Sequence, residues 1–175
     1  VLITLTTKYY GSTDLGDYSD TAKYFAGVYQ ADIRSSHSYL YGFLHAPFVK
    51  LFGSFFIFKI SSLIFLSLII YSVYFITKRD KRALFLILLS PVVWYMAPWI
   101  SPIQLASLFM IWAFYFVNIY DRSGNQKHLF YAGSFIGLGW AIWDTILFFG
   151  IFMLLVYLFD KNLSHSLIGL AAVFI

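Results

Sequence analysis

The stretch Ser54–Thr77, SFFIFKISSLIFLSLIIYSVYFIT, is apolar almost throughout, with Lys59 as its one charge. Crossing a hydrocarbon core of about 30 Å takes about 20 consecutive apolar residues at ~1.5 Å each. This stretch is that long and has no polar face to turn toward water, so it reads as a transmembrane helix. Lys59 lies one turn inside and can carry its ammonium to the interface on its aliphatic stem. The run Lys78–Arg82, KRDKR, follows directly, and its four basic residues against one acid mark the cytoplasmic side.

The rest of the chain agrees with that solvent. It is 61% hydrophobic and 11% charged, with mean hydropathy +0.77. Soluble domains carry about 25% charged residues, so too few charges are present here to cover a water-facing surface. The fold class expected is all-α, a polytopic transmembrane helical protein. The chain has no Cys, which excludes disulfides and thiolate metal sites. Its net charge is +4, with no basic stripe beyond KRDKR, so nucleic acid is not an expected partner.

The remaining segments divide as follows. Residues 1–7 (VLITLTT) read as the end of a first span, 8–53 as an external loop with juxtamembrane helices, and 54–175 as further transmembrane helices. Apolar runs stand at both ends, the pattern expected of an N-terminal part of a larger polytopic protein. Ala83–Ala97 reads as a span returning outward, with an external turn at Pro98–Pro102. Ile103–Tyr120 crosses back to a polar loop, Asp121–His128. As a single helix Leu129–Phe159 would be about 46 Å long, so two short spans turning at Trp143–Asp144 on the outer face are preferred to one tilted helix. On this topology Lys78, Arg79, Lys81, Arg82, Arg122, Lys127 and Lys161, seven of the twelve cations, are inside, and the other five lie in or near the external segment with four Asp to balance them, an asymmetry in the sense of the positive-inside rule.

Lys8–Pro47 is the one long polar segment. It holds Asp14, Asp17, Asp20 and Asp32, half of the eight carboxylates, with Arg34, His37 and His45. Ala22, Phe25, Ala26 and Tyr29 recur at helical spacing, which predicts an interfacial helix over about Asp20–Ala31 with Ser19 or Asp20 as its N-cap. His37–Gly53 predicts a second interfacial helix, or two half-turns around Pro47. The bland readings are specific. Asp17 after Gly16 is a turn carboxylate. Asp32 and Arg34 are solvated loop charges. The His residues pack at the interface with their polar tips wet. Asp144 is a turn residue rather than a costly intramembrane carboxylate.

Thr13-Asp14-Leu15-Gly16-Asp17-Tyr18-Ser19-Asp20-Thr21-Ala22 resembles the first external loop of the integral-membrane C-fold glycosyltransferases (GT-C), in particular the lipid-linked mannosyltransferases. His45-Ala-Pro47-Phe48 with Leu51-Phe52-Gly53 is similar to their entry into the second span. Two departures stand: Leu15-Gly16 separates the aspartates where the family has one residue, and Trp143-Asp144 occupies a turn where relatives carry a base.

The resemblance implies an inverting transfer of a sugar, mannose foremost, from a polyprenyl- or dolichyl-phosphate donor to an acceptor hydroxyl. It implies a first-loop aspartate as general base, Asp17 foremost and Asp14 second, because a neutral hydroxyl is a poor nucleophile until a carboxylate takes its proton. Substrate contacts fall to Arg34, His37, His45 and Tyr18, the cationic groups facing the leaving phosphate. A divalent metal stays open, with Asp14 and Asp17 as its oxygen ligands, and no other cofactor is implied. The implied partners are the lipid-phosphate sugar donor, membrane lipids and a glycan, lipid or protein acceptor. The implied location is multi-pass in a membrane, with the loop on the extracytoplasmic or lumenal side. Two rivals are a transporter or channel using Asp144, and a non-catalytic assembly subunit.

Overall fold

A computed structural model describes residues 15–28, 39–52, 56–97, 99–160, 168–169 and 171–174. All regular structure among them is helical, as the hydropathy pattern requires: α1 (Leu15–Phe25), α2 (Tyr39–Phe52), α3 (Phe56–Ile76), α4 (Lys81–Leu89), α5 (Pro91–Met96), α6 (Ile103–Ser123), α7 (Gln126–Ile142) and α8 (Thr145–Asp160). Two of these, α3 and α6, are long and apolar enough to cross a membrane, each with 21 residues. The chain forms two compact units, Val1–Gln104 and Leu105–Ile175.

In the first unit α1 packs on α2, and α2 packs on α3. The first helix begins at Leu15, five positions before the N-cap expected at Asp20. Asp17 therefore falls in its first turn, where a carboxylate faces the positive end of the helix dipole. Asp20 is interior and pairs with Lys23 across 3.1 Å, which corrects its expected capping role. The helix also closes early, at Gly27 (φ 71°). Val28 N–H donates to the Lys23 carbonyl (3.0 Å) and Gly27 N–H to that of Tyr24 (2.9 Å), a Schellman closure that only a residue tolerant of left-handed φ makes without strain.

The second helix runs unbroken through Pro47 rather than splitting into half-turns. Pro47 has no N–H to offer the Phe43 carbonyl, and it stands on the exposed side, where that loss is tolerated. Tyr41, Gly42, His45, Ala46 and Val49 form the buried stripe, while Phe43, Leu44, Phe48, Leu51 and Phe52 are exposed opposite them. Gly42 sets the close approach of α1, since a Cβ there would stand 2.5 Å from Thr21 Cγ2. Tyr41 and Phe58 are fully buried between the helices, each contributing about 1.5–3 kcal/mol over an exposed position.

The first half of α3 is covered. Ser62 is fully buried, and its hydroxyl donates to the Trp99 carbonyl at 2.8 Å. Lys59, one turn before Ser62, is buried with it instead of reaching out along the surface. The span expected over Ala83–Ala97 is two helices. Pro91 pushes Ser90 into an extended conformation (ψ 118°), so α4 stops at nine residues and α5 has six.

In the second unit α7 and α8 pack together and turn at Trp143–Asp144, so the two-helix reading of Leu129–Phe159 holds. Ala113, Ile136, Leu154 and Val173 form a core cluster, with Met110 and Phe135 against it. Glycines let backbones meet there. A Cβ on Gly150 would overlap Ile136, one on Gly133 would overlap the Gly169 carbonyl, and one on Gly137 would stand 2.5 Å from the Val173 carbonyl oxygen. Gly133 and Gly137 are four apart on one helix face, the small-residue spacing that brings apolar helices together.

Candidate functional site

The solvent side of α1 carries two carboxylates three residues apart, Asp17 and Asp20, each partly exposed. That spacing puts both on one helix face. The Lys23 ammonium engages Asp20. Asp17 uses only its backbone carbonyl, which accepts the Thr21 hydroxyl at 2.8 Å. Its carboxylate makes no hydrogen bond or ion pair among the described residues. One of the two acids is thus engaged internally and the other is open to an incoming group.

Tyr18 turns away from that face. It is buried, with its ring edge-on to Tyr41 (centroids 6.0 Å apart, planes at 73°). Tyr41 links this contact to His45 one helical turn on, at a ring separation of 4.3 Å. The Tyr41 hydroxyl is buried with no hydrogen-bond partner. Burial, then the neighbouring Tyr18, pushes its phenol well above the ordinary range.

His45 is 3% exposed, so the wet polar tip expected of it is corrected. Its Nδ1 lies 2.7 Å from the Tyr41 carbonyl oxygen and its Nε2 2.6 Å from Ser61 Oγ. A carbonyl only accepts, so Nδ1 carries the proton and donates it. Burial holds the imidazole below its ordinary value of 6.5, with the Tyr41 hydrogen bond opposing in part, so Nε2 is unprotonated and accepts from the Ser61 hydroxyl. Ser61 Oγ also lies 2.7 Å from the Ile57 carbonyl, an alternative acceptor for its single hydrogen. Phe58 stacks on the ring (4.6 Å, 17°) and Phe65 meets it edge-on (6.3 Å). Both ring nitrogens are engaged within the protein, which leaves no donor for a phosphate in this arrangement.

Of the residues singled out from the sequence, Tyr18 and His45 are thus brought together through Tyr41, and Asp17 stands on the opposite face of α1. Asp14, Asp32, Arg34 and His37 lie outside the described residues. No group of three or more His, Asp, Glu or Cys among the described residues is placed to hold a metal ion. Ser61 and Tyr41 escaped the reading of the sequence. Tyr41 had a signal, standing four before His45 on the same helix. Ser61 had none, since its pairing with His45 spans two helices. No protein-family model matches the chain, nor does any curated protein or solved structure.

Proposed function

We propose that the chain is part of a multi-pass membrane glycosyltransferase of the GT-C type. It moves a sugar, mannose foremost, from a polyprenyl- or dolichyl-phosphate donor to an acceptor hydroxyl with inversion. The observation that carries this reading is the open carboxylate of Asp17 beside an Asp20 already taken by Lys23.

As the base, Asp17 accepts the acceptor's proton while the acceptor oxygen bonds to the anomeric carbon. The carbon–oxygen bond to phosphate breaks on the opposite face, and the lipid phosphate leaves with the electron pair. Arg34 and His37 are the groups assigned to that phosphate. His45 serves instead to bind α2 to α3. The exposed apolar face of α2, formed by Phe43, Leu44, Phe48, Leu51 and Phe52, supports this reading, since such a face suits the interface where a lipid-linked donor carries its phosphate.

The test is transfer in membranes holding the protein, supplied with radiolabelled polyprenyl-phosphate mannose and then with other lipid-phosphate hexoses. Label appearing in lipid, glycan or protein acceptors supports the reading. No transfer from any donor, with protein inserted at normal levels, contradicts it.

A further inference from the structure

The turn between α3 and α4 is built against the preference of its residues. Lys78 and Arg79 both hold positive φ, 56° and 64°, a region in which side-chain-bearing residues are uncommon. The turn is closed by backbone hydrogen bonds. Lys78 N–H donates to the Phe75 carbonyl (3.0 Å), Arg79 N–H to Tyr74 (2.8 Å) and Asp80 N–H to Thr77 (3.2 Å). Asp80, the one acid in the turn, directs its carboxylate at the Arg82 amide at 2.8 Å as the cap of α4.

Lys78, Arg79, Lys81 and Arg82 are all exposed, and none makes an ion pair or hydrogen bond through its side chain among the described residues. Within this unit the described carboxylates other than Asp80 are Asp17 and Asp20 on α1. That helix packs on α2, which meets the other end of α3 at Phe58 and Ser61. With α3 about 30 Å long, no described carboxylate of the unit apart from Asp80 stands near these cations.

We propose that this turn binds the phosphate headgroup of an anionic phospholipid. The four cations stand directly after a 21-residue apolar helix, so they meet the bilayer at headgroup depth, where anionic phosphate is the complementary charge. A hydrogen-bonded turn presents them together, and a planar guanidinium such as that of Arg79 or Arg82 matches two phosphate oxygens at once. The inference uses α3 as a membrane-crossing helix and is independent of the proposed sugar transfer.

The test is fluorescence anisotropy on the full chain in neutral detergent, with NBD-labelled phosphatidylglycerol against NBD-labelled phosphatidylcholine. The wild type is expected to bind the anionic lipid at least tenfold more tightly at ~0.15 M salt and to lose that preference at 0.5 M. Lys78→Gly/Arg79→Gly relieves the positive-φ backbone while removing two cations. It is expected to weaken phosphatidylglycerol binding roughly fivefold per cation with thermal stability unchanged or raised. Lys78→Gln/Arg79→Gln, which leaves the backbone demand in place, is expected to weaken it equally. Lys50→Gln, a lone cation on α2, is expected to have no effect. Equal affinity of the wild type for the two lipids overturns the proposal, as does retention of the preference in both double variants. Displacement of the lipid by millimolar inorganic phosphate also overturns it, by making the turn a site for free anions.

Discussion

His45 on α2 and Ser61 on α3 meet at 2.6 Å, Nε2 to Oγ, in a part-buried contact whose imidazole lies against Phe58 and Phe65. The imidazole joins three things: the Tyr41 carbonyl of its own helix, the hydroxyl of the next helix, and the aromatic stack between them. His45→Ala removes two hydrogen bonds and a stacked ring, and leaves a cavity between α2 and α3. The expected loss is about 2–4 kcal/mol of stability. Thermal unfolding in detergent checks it. Ser61→Ala, which removes one of the two bonds, is expected to cost about 1–2 kcal/mol.

The same contact sets a pH dependence. The folded value of His45 lies below its ordinary value of 6.5, so on acidification the unfolded chain takes up the proton first. Stability from this group is therefore fully present above about pH 6.5 and is lost as pH falls through the folded value. The unfolding temperature of the wild type is expected to drop as pH falls below about 6.5, and His45→Gln to flatten that part of the profile. A wild-type profile matching that of His45→Gln would contradict the buried neutral imidazole.

Gly42 is required by the approach of α1. In an exposed helix Gly→Ala is stabilising by about 1 kcal/mol. Here the added Cβ would stand 2.5 Å from Thr21 Cγ2 and 3.1 Å from the Ala22 backbone nitrogen, so Gly42→Ala is expected to destabilise by about 1–3 kcal/mol. Adding Thr21→Ser removes the nearest carbon and keeps the hydroxyl that donates to Asp17, and is expected to recover part of the loss. A double-mutant cycle on unfolding temperature measures the coupling.

The second unit gives the parallel case without that relief. A Cβ on Gly133 meets the Gly169 carbonyl, which is backbone and cannot rotate away. Gly133→Ala is expected to cost about 1–3 kcal/mol, with no single neighbouring side-chain change that restores it. Unfolding in detergent, read for Gly133→Ala beside a substitution at the exposed Leu138, tests this.

Legibility in the sequence followed range. Features set by one local run were readable: the long apolar helix α3, a polar break before α7 (narrowed from the expected Asp121–His128 to Gly124–Asn125), and the turn at Trp143–Asp144 that divides a long apolar stretch into two helices. Boundaries set by a single residue against a strong hydropathy signal were not. The Ser90–Pro91 pair stood in plain view inside an apolar run, and the run hid the break that Pro91 imposes. The onset of α1 at Leu15 was missed because Asp20 has the chemistry of a cap, while Asp17 has the position that a first-turn acid favours. Gly133 and Gly137 carried a readable spacing that hydropathy masked. What no local pattern could give was tertiary. Ser62 on α3 is met by the Trp99 carbonyl from 37 residues away, and His45 is withdrawn from water where Ser61 meets it from the next helix.

The central claim rests on the difference between two neighbouring carboxylates, so the most direct measurement compares Asp17→Asn with Asp20→Asn. Both are made in protein inserted at normal levels and assayed for sugar transfer from a lipid-phosphate donor. Losing a general base is expected to lower the transfer rate by about 10²–10⁴-fold in Asp17→Asn, with stability within about 0.5 kcal/mol of wild type. Asp20→Asn breaks only the partly exposed pair with Lys23 and is expected to retain transfer, at a cost of at most about 1 kcal/mol. Equal transfer in Asp17→Asn and wild type would remove this carboxylate from catalysis and contradict the account.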